Sequence, residues 1–354
     1  MSLMASLGIL VGSGPPAECF GVISRKGTFP MKVKMYGTRG SIPVSNRECV
    51  KYGGNTTCVH VISDCIPPNE SLVIDTGSGF VPLGHNGLKN GIKRYNILYS
   101  HYHHDHTQGL LLAPPTFIEG INLDIYGPED LSVGPRQVVE ALMNPPYFPV
   151  HFKQVGSRFS FKNLQFVESR VLLVHPEGGF KVLTLEDFQN ITKRGDQIPF
   201  GRQRYDLNEC LLIRMIGTNH PQMTISYRFE ELPTGRTFVF LTDHEDVAGI
   251  SMAFKKHLKG ADLLVADAQY SRDKYIASTA GYGHGTSFGC VRLAVLCGCT
   301  RLGLTHHDPT ATDAYIDNVI LNEAVEAREQ LKREVDECLL EDIFCCYDYQ
   351  ELDV

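Results

Sequence analysis

Apolar residues in this chain come in short runs, and several runs end abruptly in histidine or aspartate. Lys32-Val33-Lys34-Met35-Tyr36 alternates as a half-buried strand and stops at the loop Gly37-Thr38-Arg39-Gly40-Ser41. Val59–Ile62 and Leu72–Asp75 predict two more strands, the second closing on Thr76-Gly77-Ser78-Gly79. Three short strands joined by glycine turns suit an antiparallel sheet. Ile97-Leu98-Tyr99 predicts the end of a buried strand, and Gly109–Ala113 the start of an apolar helix. Leu123–Tyr126 reads as a strand, with a helix around Arg136–Met143.

The pattern then loosens. Pro176–Gly179 and Arg194–Arg204 predict exposed turns, with a short helix over Leu183–Ile191 between them. An insertion around residues 168–210 is expected here, as a lid or an oligomer contact. Regularity returns at Leu211–Ile216. Ile225–Phe229 and Thr237–Leu241 predict a strand pair joined across Pro233-Thr234-Gly235. Leu263–Ala266 predicts a strand ending in Asp267, and Ser287–Cys297 a helix. Arg301–Leu304 predicts a strand, residues 313–336 a long charged amphipathic helix, and Phe344–Tyr349 a last strand. Residues 1–30 are punctuated by Gly, Pro and Ser without a period, so they read as an extension ahead of one domain over 31–354.

The densest chemistry lies just after the Ile97–Tyr99 run. Five of the six residues from His101 to His106 are His or Asp. Such side chains compete for water and gather beside an apolar strand when a cation holds them. Residues two apart on extended chain point the same way, so His101 and His103 can face one ion. Asp105 and His106 follow where the chain bends into a helix and can face a second. Neutral imidazoles with a carboxylate suit zinc, and also manganese or iron. Further ligand types recur at strand ends: His220 after Leu211–Ile216, Asp243 after Phe238–Leu241, and His306 after Leu302–Leu304. A lone Asp there is usually a turn former; the recurrence is what points to a site.

Composition narrows the picture. A chain of 354 residues with 43% hydrophobic and 21% charged residues is an ordinary globular protein with room for a large core. A net charge of −7 disfavours nonspecific nucleic-acid binding. Eleven cysteines without paired spacing predict buried, reduced thiols and a cytoplasmic setting. No apolar run reaches membrane-spanning length, so no membrane is expected. Leu7–Val11 has no basic residue before it, so no signal peptide is expected either.

His101-x-His103-x-Asp105-His106, with the later His220, Asp243 and His306, resembles the metallo-β-lactamase-fold hydrolase superfamily. Three glycine loops, Gly37–Pro43, Tyr52–Cys58 and Ile74–Gly79, resemble the branch of ribonuclease Z-like and class II cyclic-nucleotide phosphodiesterases. The resemblance covers roughly residues 31–350 and is poorest over 168–210. It implies an α/β fold, a four-layer αβ/βα sandwich, with two divalent metals at one edge. By motif position it implies that His101, His103 and His220 hold one metal and Asp105, His106 and His306 the other. Asp243 then bridges them, and His104 is a non-ligand. His306 is preferred to His307 because Leu304-Thr305-His306 matches the family's strand end. Asp243, where several true β-lactamases have Cys, argues against lactam hydrolysis.

Two metals can share a hydroxide that attacks a phosphodiester. The leaving oxygen then needs a proton, and His284 in Gly281–Thr286 is the candidate, with Asp267 to orient it. In the resembling branch the acid is commonly Glu, so Asp267 is a shorter variant. Asp267 also fits a helix N-cap, and His284 a surface loop. Asp75 reads equally as an acceptor for a ligand imidazole or as a turn former. Asn55, Thr56 and Arg39 are candidate phosphate contacts, with a tight hairpin as the alternative for the first two. His244 and His307-Asp308 are candidate outer groups. The expected function is a dinuclear metal-dependent phosphodiesterase on a small phosphodiester or cyclic nucleotide, as a monomer or homodimer. The alternatives are an RNA-processing endonuclease of ribonuclease Z type, a lactone or thioester hydrolase, and a non-catalytic binding protein. The 168–210 segment mixes Lys181, Lys193, Arg194, Arg202 and Arg204 with Glu177, Glu186, Asp187 and Asp196, which makes a poor RNA clamp.

Overall fold

The computed structural model describes residues 30–155, 158–246 and 249–354, so the expected extension lies, apart from Pro30, outside the described residues. In chain order the strands begin with β1 (Lys32–Gly37), β2 (Cys58–Ile62), β3 (Glu70–Ile74), β4 (Arg94–Leu98), β5 (Asn122–Pro128) and β6 (Arg158–Leu164). Next come β7 (Arg170–His175), β8 (Gly179–Thr184), β9 (Ile198–Phe200), β10 (Gln203–Tyr205), β11 (Leu211–Gly217) and β12 (Ile225–Glu231). The last are β13 (Arg236–Leu241), β14 (Leu263–Asp267), β15 (Arg301–Thr305), β16 (Asp342–Cys345) and β17 (Glu351–Asp353).

Two sheets result, one ordered β17-β1-β2-β3-β4-β5-β6 and the other β16-β15-β14-β13-β12-β11-β7-β8. Each has an antiparallel part and a parallel part. In the first, β1 to β3 are antiparallel, as expected, and β3 to β6 are parallel. In the second, β13 to β16 are parallel. Strands covered on both faces carry continuous apolar runs, and β14 is buried at every residue.

Alternation along each strand sorts the faces. Phe238, Phe240, Leu263 and Val265 point between the sheets, where they meet Met35, Leu72, Ile74 and Leu98. Val239, Leu264 and Leu302 point outward, under helices Met252–Leu258, Ser287–Cys297 and Asn322–Leu331. On the far side, Val73, Ile97 and Ile125 are covered by Phe80, Leu83 and Val139 of helices Phe80–Lys89 and Pro135–Leu142. The layers are therefore helix, sheet, sheet, helix. Burying each large side chain contributes roughly 1.5–3 kcal/mol.

Residues 168–210 differ from the expected lid. β7 pairs with β11 and β8 with β7, so they extend the second sheet. Leu172 and Val174 face the other sheet, while Val171 and Leu173 lie under helix Leu185–Arg194 and the β9–β10 pair. The chain's end also differs from one long strand: β16 closes the second sheet, and β17 pairs with β1 in the first. The helix expected over 313–336 runs from Asp313 to Leu331, with wider turns over Ile316–Leu321. Among the described residues, ten cysteines are free thiols, and no helix is long and apolar enough to cross a membrane.

Candidate metal centre

The parallel halves of the sheets deliver their carboxyl ends to one edge. His101 follows β4, Asp243 follows β13, Asp267 ends β14 and His306 follows β15 directly. β11 is antiparallel to β12, and β12 to β13, so β11 runs with β13 and brings His220 to the same edge. Asp243 and His306 sit at φ +47° and +61°, and Asp75 at +57°. Such left-handed backbone is costly for residues other than glycine and gathers at functional sites. Close approach adds a constraint: a Cβ on Gly40 would lie 2.3 Å from His306 Nδ1, and one on Gly283 2.4 Å from His220 Nδ1.

The seven donors singled out in the sequence converge. His101, His103, His220 and Asp243 place one potential ligand atom each within 4.8 Å of one another, as do Asp105, His106 and His306. Asp243 faces both groups. Its Oδ2 lies 3.5 Å from His101 Nε2 and 3.9 Å from His220 Nε2, while its Oδ1 lies 3.3 Å from His106 Nε2 and 3.4 Å from His306 Nε2.

The tautomers are set from behind. Ser100 donates from Oγ to Asp75 Oδ2 at 2.7 Å, which leaves Ser100 Oγ to accept from His101 Nδ1 at 3.1 Å. His106 Nδ1 donates to the same Asp75 Oδ2 at 2.8 Å, and His220 Nδ1 donates to Gly283 O at 2.9 Å. The Nε2 lone pairs of His101, His106 and His220 therefore face the cluster. Asp75 thus combines the two alternatives open in the sequence, an imidazole acceptor and a strained turn.

Electrostatics supports a cation. Burial pushes His101, His103 and His220 below the usual histidine range, toward the neutral ligating form. Burial would push His306 down too, but Asp243, Asp267 and Asp105 outweigh it and raise it to about 9. Likewise Asp105, Asp243 and Asp75 overcome burial at His106 and raise it well above the usual range. These carboxylates draw positive charge into a buried site. His101 Nε2 and Asp243 Oδ2 are buried without a hydrogen-bond partner, an arrangement a cation between them satisfies. The donor set fits two divalent ions.

The sequence matches no family model. A curated Ribonuclease Z from Prochlorococcus marinus (strain MIT 9515) is 26% identical over 267 residues, which cover 69% of this chain and 80% of that protein. Unliganded yeast PDE1 superposes with a TM-score of 0.55 at 13% identity, over 92% of this chain and 99% of that one. YhfI from Bacillus subtilis, a metallo-β-lactamase-fold protein, superposes with a TM-score of 0.52 at 16% identity, over 92% of this chain and 99% of that one. The chain has the metallo-β-lactamase fold. Among the described residues, the two His/Asp clusters are groups that could hold metal ions.

In this metallo-β-lactamase fold His103, Asp105 and Asp243 of the clusters line a cleft of about 350 Å³ together with Ser41, Tyr102, His104 and His284. His284 donates from Nδ1 to Asp267 Oδ2 at 3.0 Å, and Asp267 also accepts from the backbone of Gln269 and Gly285. Asp243, His284 and His306 likewise fall within 4.8 Å of one another, so His284 borders the donors as well. His104 is exposed on the cleft wall, outside both donor groups. His307 turns away and donates from Nε2 to Cys346 O at 2.8 Å. His244 accepts from Asn219 N at 3.1 Å, away from the cleft.

The candidate phosphate contacts are corrected. Arg39 is fully buried and donates to the carbonyls of Gly53, Asp308 and Ala311. It ties the loop that carries Gly40 and Ser41 to the chain just after His306. Asn55 and Thr56 are bonded to Ser78, 22–23 residues further along the chain, and neither lines the cleft. Arg39→Ala is expected to lower the unfolding free energy by about 3–5 kcal/mol, because three buried carbonyls lose a charged donor. Urea denaturation measures this, and a loss below about 1 kcal/mol would show that the clamp is dispensable.

Sequence reading missed two supports. Glu245 accepts from Tyr275 Oη and Gly281 N, both at 2.6 Å, and from Gly283 N at 2.9 Å, so it holds the loop that carries His284. The only hint was its place two residues after Asp243. Ser41 donates from its backbone N to Asp105 Oδ2 at 2.7 Å. It lay in plain view in a glycine loop, but nothing local tied that loop to Asp105.

Proposed function

We propose that the protein is a dinuclear metal-dependent phosphodiesterase acting on small phosphodiesters, cyclic nucleotides among them. The observation that carries this reading is His284 on the cleft wall beside the donor clusters, held from behind by the buried Asp267. In this reading His101, His103 and His220 would hold one cation and Asp105, His106 and His306 the other, with Asp243 facing both. The nitrogen-rich donor set favours zinc, with manganese or iron as alternatives. Two divalent cations supply Lewis-acid charge that lowers the pKa of water toward neutrality and offsets charge developing on a phosphoryl oxygen.

The chain's own groups supply the rest. Asp267 holds the Nδ1 side of His284 and orients the ring, leaving Nε2 as the ring atom that would pass a proton to a leaving alkoxide. That proton matters for a phosphodiester with a poor leaving group and much less for a thioester, whose thiolate leaves unaided. Substrate size follows from charge. Among the described residues, none of those lining the cleft is Lys or Arg, and the whole chain carries a net charge of −7. A long RNA backbone needs several cationic contacts, so a single small diester fits better.

The Ribonuclease Z relative favours RNA processing as the second reading. A substrate panel on metal-loaded protein separates them: bis-p-nitrophenyl phosphate, cyclic nucleotides, a precursor tRNA, a lactone and a thioester. Cleavage of the small diesters in preference to precursor tRNA is expected. Preference for precursor tRNA selects the second reading, and turnover of the lactone or thioester alone sinks both.

A further inference from the structure

Ser41 is a wall residue whose chemistry the proposed mechanism leaves unused. It is exposed, lines the cleft beside His284, and holds a left-handed backbone at φ +64°. Two contacts keep it there. Its N–H donates to Asp105 Oδ2 at 2.7 Å, and its Oγ accepts from Gln269 Nε2 at 3.1 Å. Gln269 is 2% exposed, and its backbone N–H is bound to Asp267 Oδ1 at 3.0 Å. The amide is thus anchored to the carboxylate that orients His284 and aimed at the Ser41 hydroxyl. Because Gln269 fills a lone pair of Oγ, the hydroxyl proton is directed elsewhere, and among the described residues it has no acceptor.

We propose that the Ser41 hydroxyl donates a hydrogen bond to a phosphoryl oxygen of the substrate, with Gln269 as its positioning residue. The inference rests on the phosphodiesterase reading and adds a recognition element on the wall facing the metals. A strained backbone, a buried amide spent on one hydroxyl, and a free O–H at the cleft surface all serve that contact. A neutral donor also suits a cleft without Lys or Arg, because it orients a phosphoryl group without attracting a polyanion.

Inorganic phosphate titrated into metal-loaded protein by calorimetry reads this contact without turnover. Ser41→Ala and Ser41→Gly both remove the hydroxyl and keep the N–H to Asp105, and glycine also relieves the left-handed strain. Both are expected to weaken phosphate binding by about tenfold, the loss for a hydrogen bond to a charged group. Metal analysis is expected to find the wild-type cation content in both. Gln269→Leu is expected to weaken phosphate binding in the wild-type background and to cause no further loss in Ser41→Ala, since it acts through that hydroxyl. Phosphate affinity within twofold of wild type in both Ser41 variants overturns the inference. So does a Gln269→Leu loss that persists undiminished in Ser41→Ala, or a wild-type protein that binds no phosphate. The diesterase reading is judged separately by cleavage of bis-p-nitrophenyl phosphate, so the two can fail independently.

Discussion

Replacing His284 by alanine is expected to lower turnover of an alkyl or nucleoside phosphodiester by about 10²–10⁴-fold while both cations stay bound. The ring commits its Nδ1 to Asp267 at 3.0 Å and lies 3.8 Å from Asp243 Oδ2, so its tighter partner is the orienting carboxylate. Seven other donors remain to hold the ions. The leaving group supplies a control. A p-nitrophenolate leaves without protonation, so the same variant is expected to lose far less activity on bis-p-nitrophenyl phosphate. Asp267→Asn is expected to follow the same split in milder form, since an amide still contacts Nδ1 but holds the ring less firmly than the carboxylate does. The measurements are kcat on the two substrate types and metal content by elemental analysis. An equal loss on both substrates would rule out proton delivery, and loss of a cation would make His284 a ligand.

Asp243→Ala is the other large effect. It is expected to remove at least one cation and lower kcat/KM by about 10³-fold or more, the scale of several kcal/mol of charge stabilisation. This carboxylate reaches both donor groups, Oδ2 toward His101 and His220 and Oδ1 toward His106 and His306. No neighbour can substitute for it. Asp267 Oδ2 is engaged by His284 and Gly285, and Asp105 Oδ2 by Ser41 and His306. Elemental analysis after gel filtration reads the stoichiometry, and excess zinc tests for rescue. A variant that keeps two cations with wild-type affinity would refute the bridging role.

The two variants test residues that differed in how legible they were. Asp243 closes an unbroken apolar strand, and the period of that strand already placed it at an edge. His284 stood in a glycine loop, where a surface position was the competing reading. Its distance to Asp267 depends on Glu245, which pins Gly281 and Gly283 from the loop after β13. Arg39 misled because an arginine among glycines looks solvated. Its acceptors at Asp308 and Ala311 are 269 and 272 residues away, and their carbonyls have no sequence signature. Residues 168–210 misled for a similar reason. β7 is apolar on both faces only because a helix and a hairpin from its own segment cover the outer one.

The sequence by itself determined what local periodicity and residue chemistry can carry: the strands of both sheets at the site, the His/Asp knots at their ends, and the donor types that suit two divalent ions. Strand period and ligand spacing act over a few residues, so they survive without a fold. Tertiary structure alone decided which side of Asp243 faces which histidines, that Asp75 and Ser100 set two tautomers, that Arg39 is a buried clamp, and that Ser41 meets Gln269. Apart from the neighbouring Ser100–His101 pair, each of these is a contact between groups far apart in the chain, made only when the two sheets pack and their carboxyl ends meet at one edge.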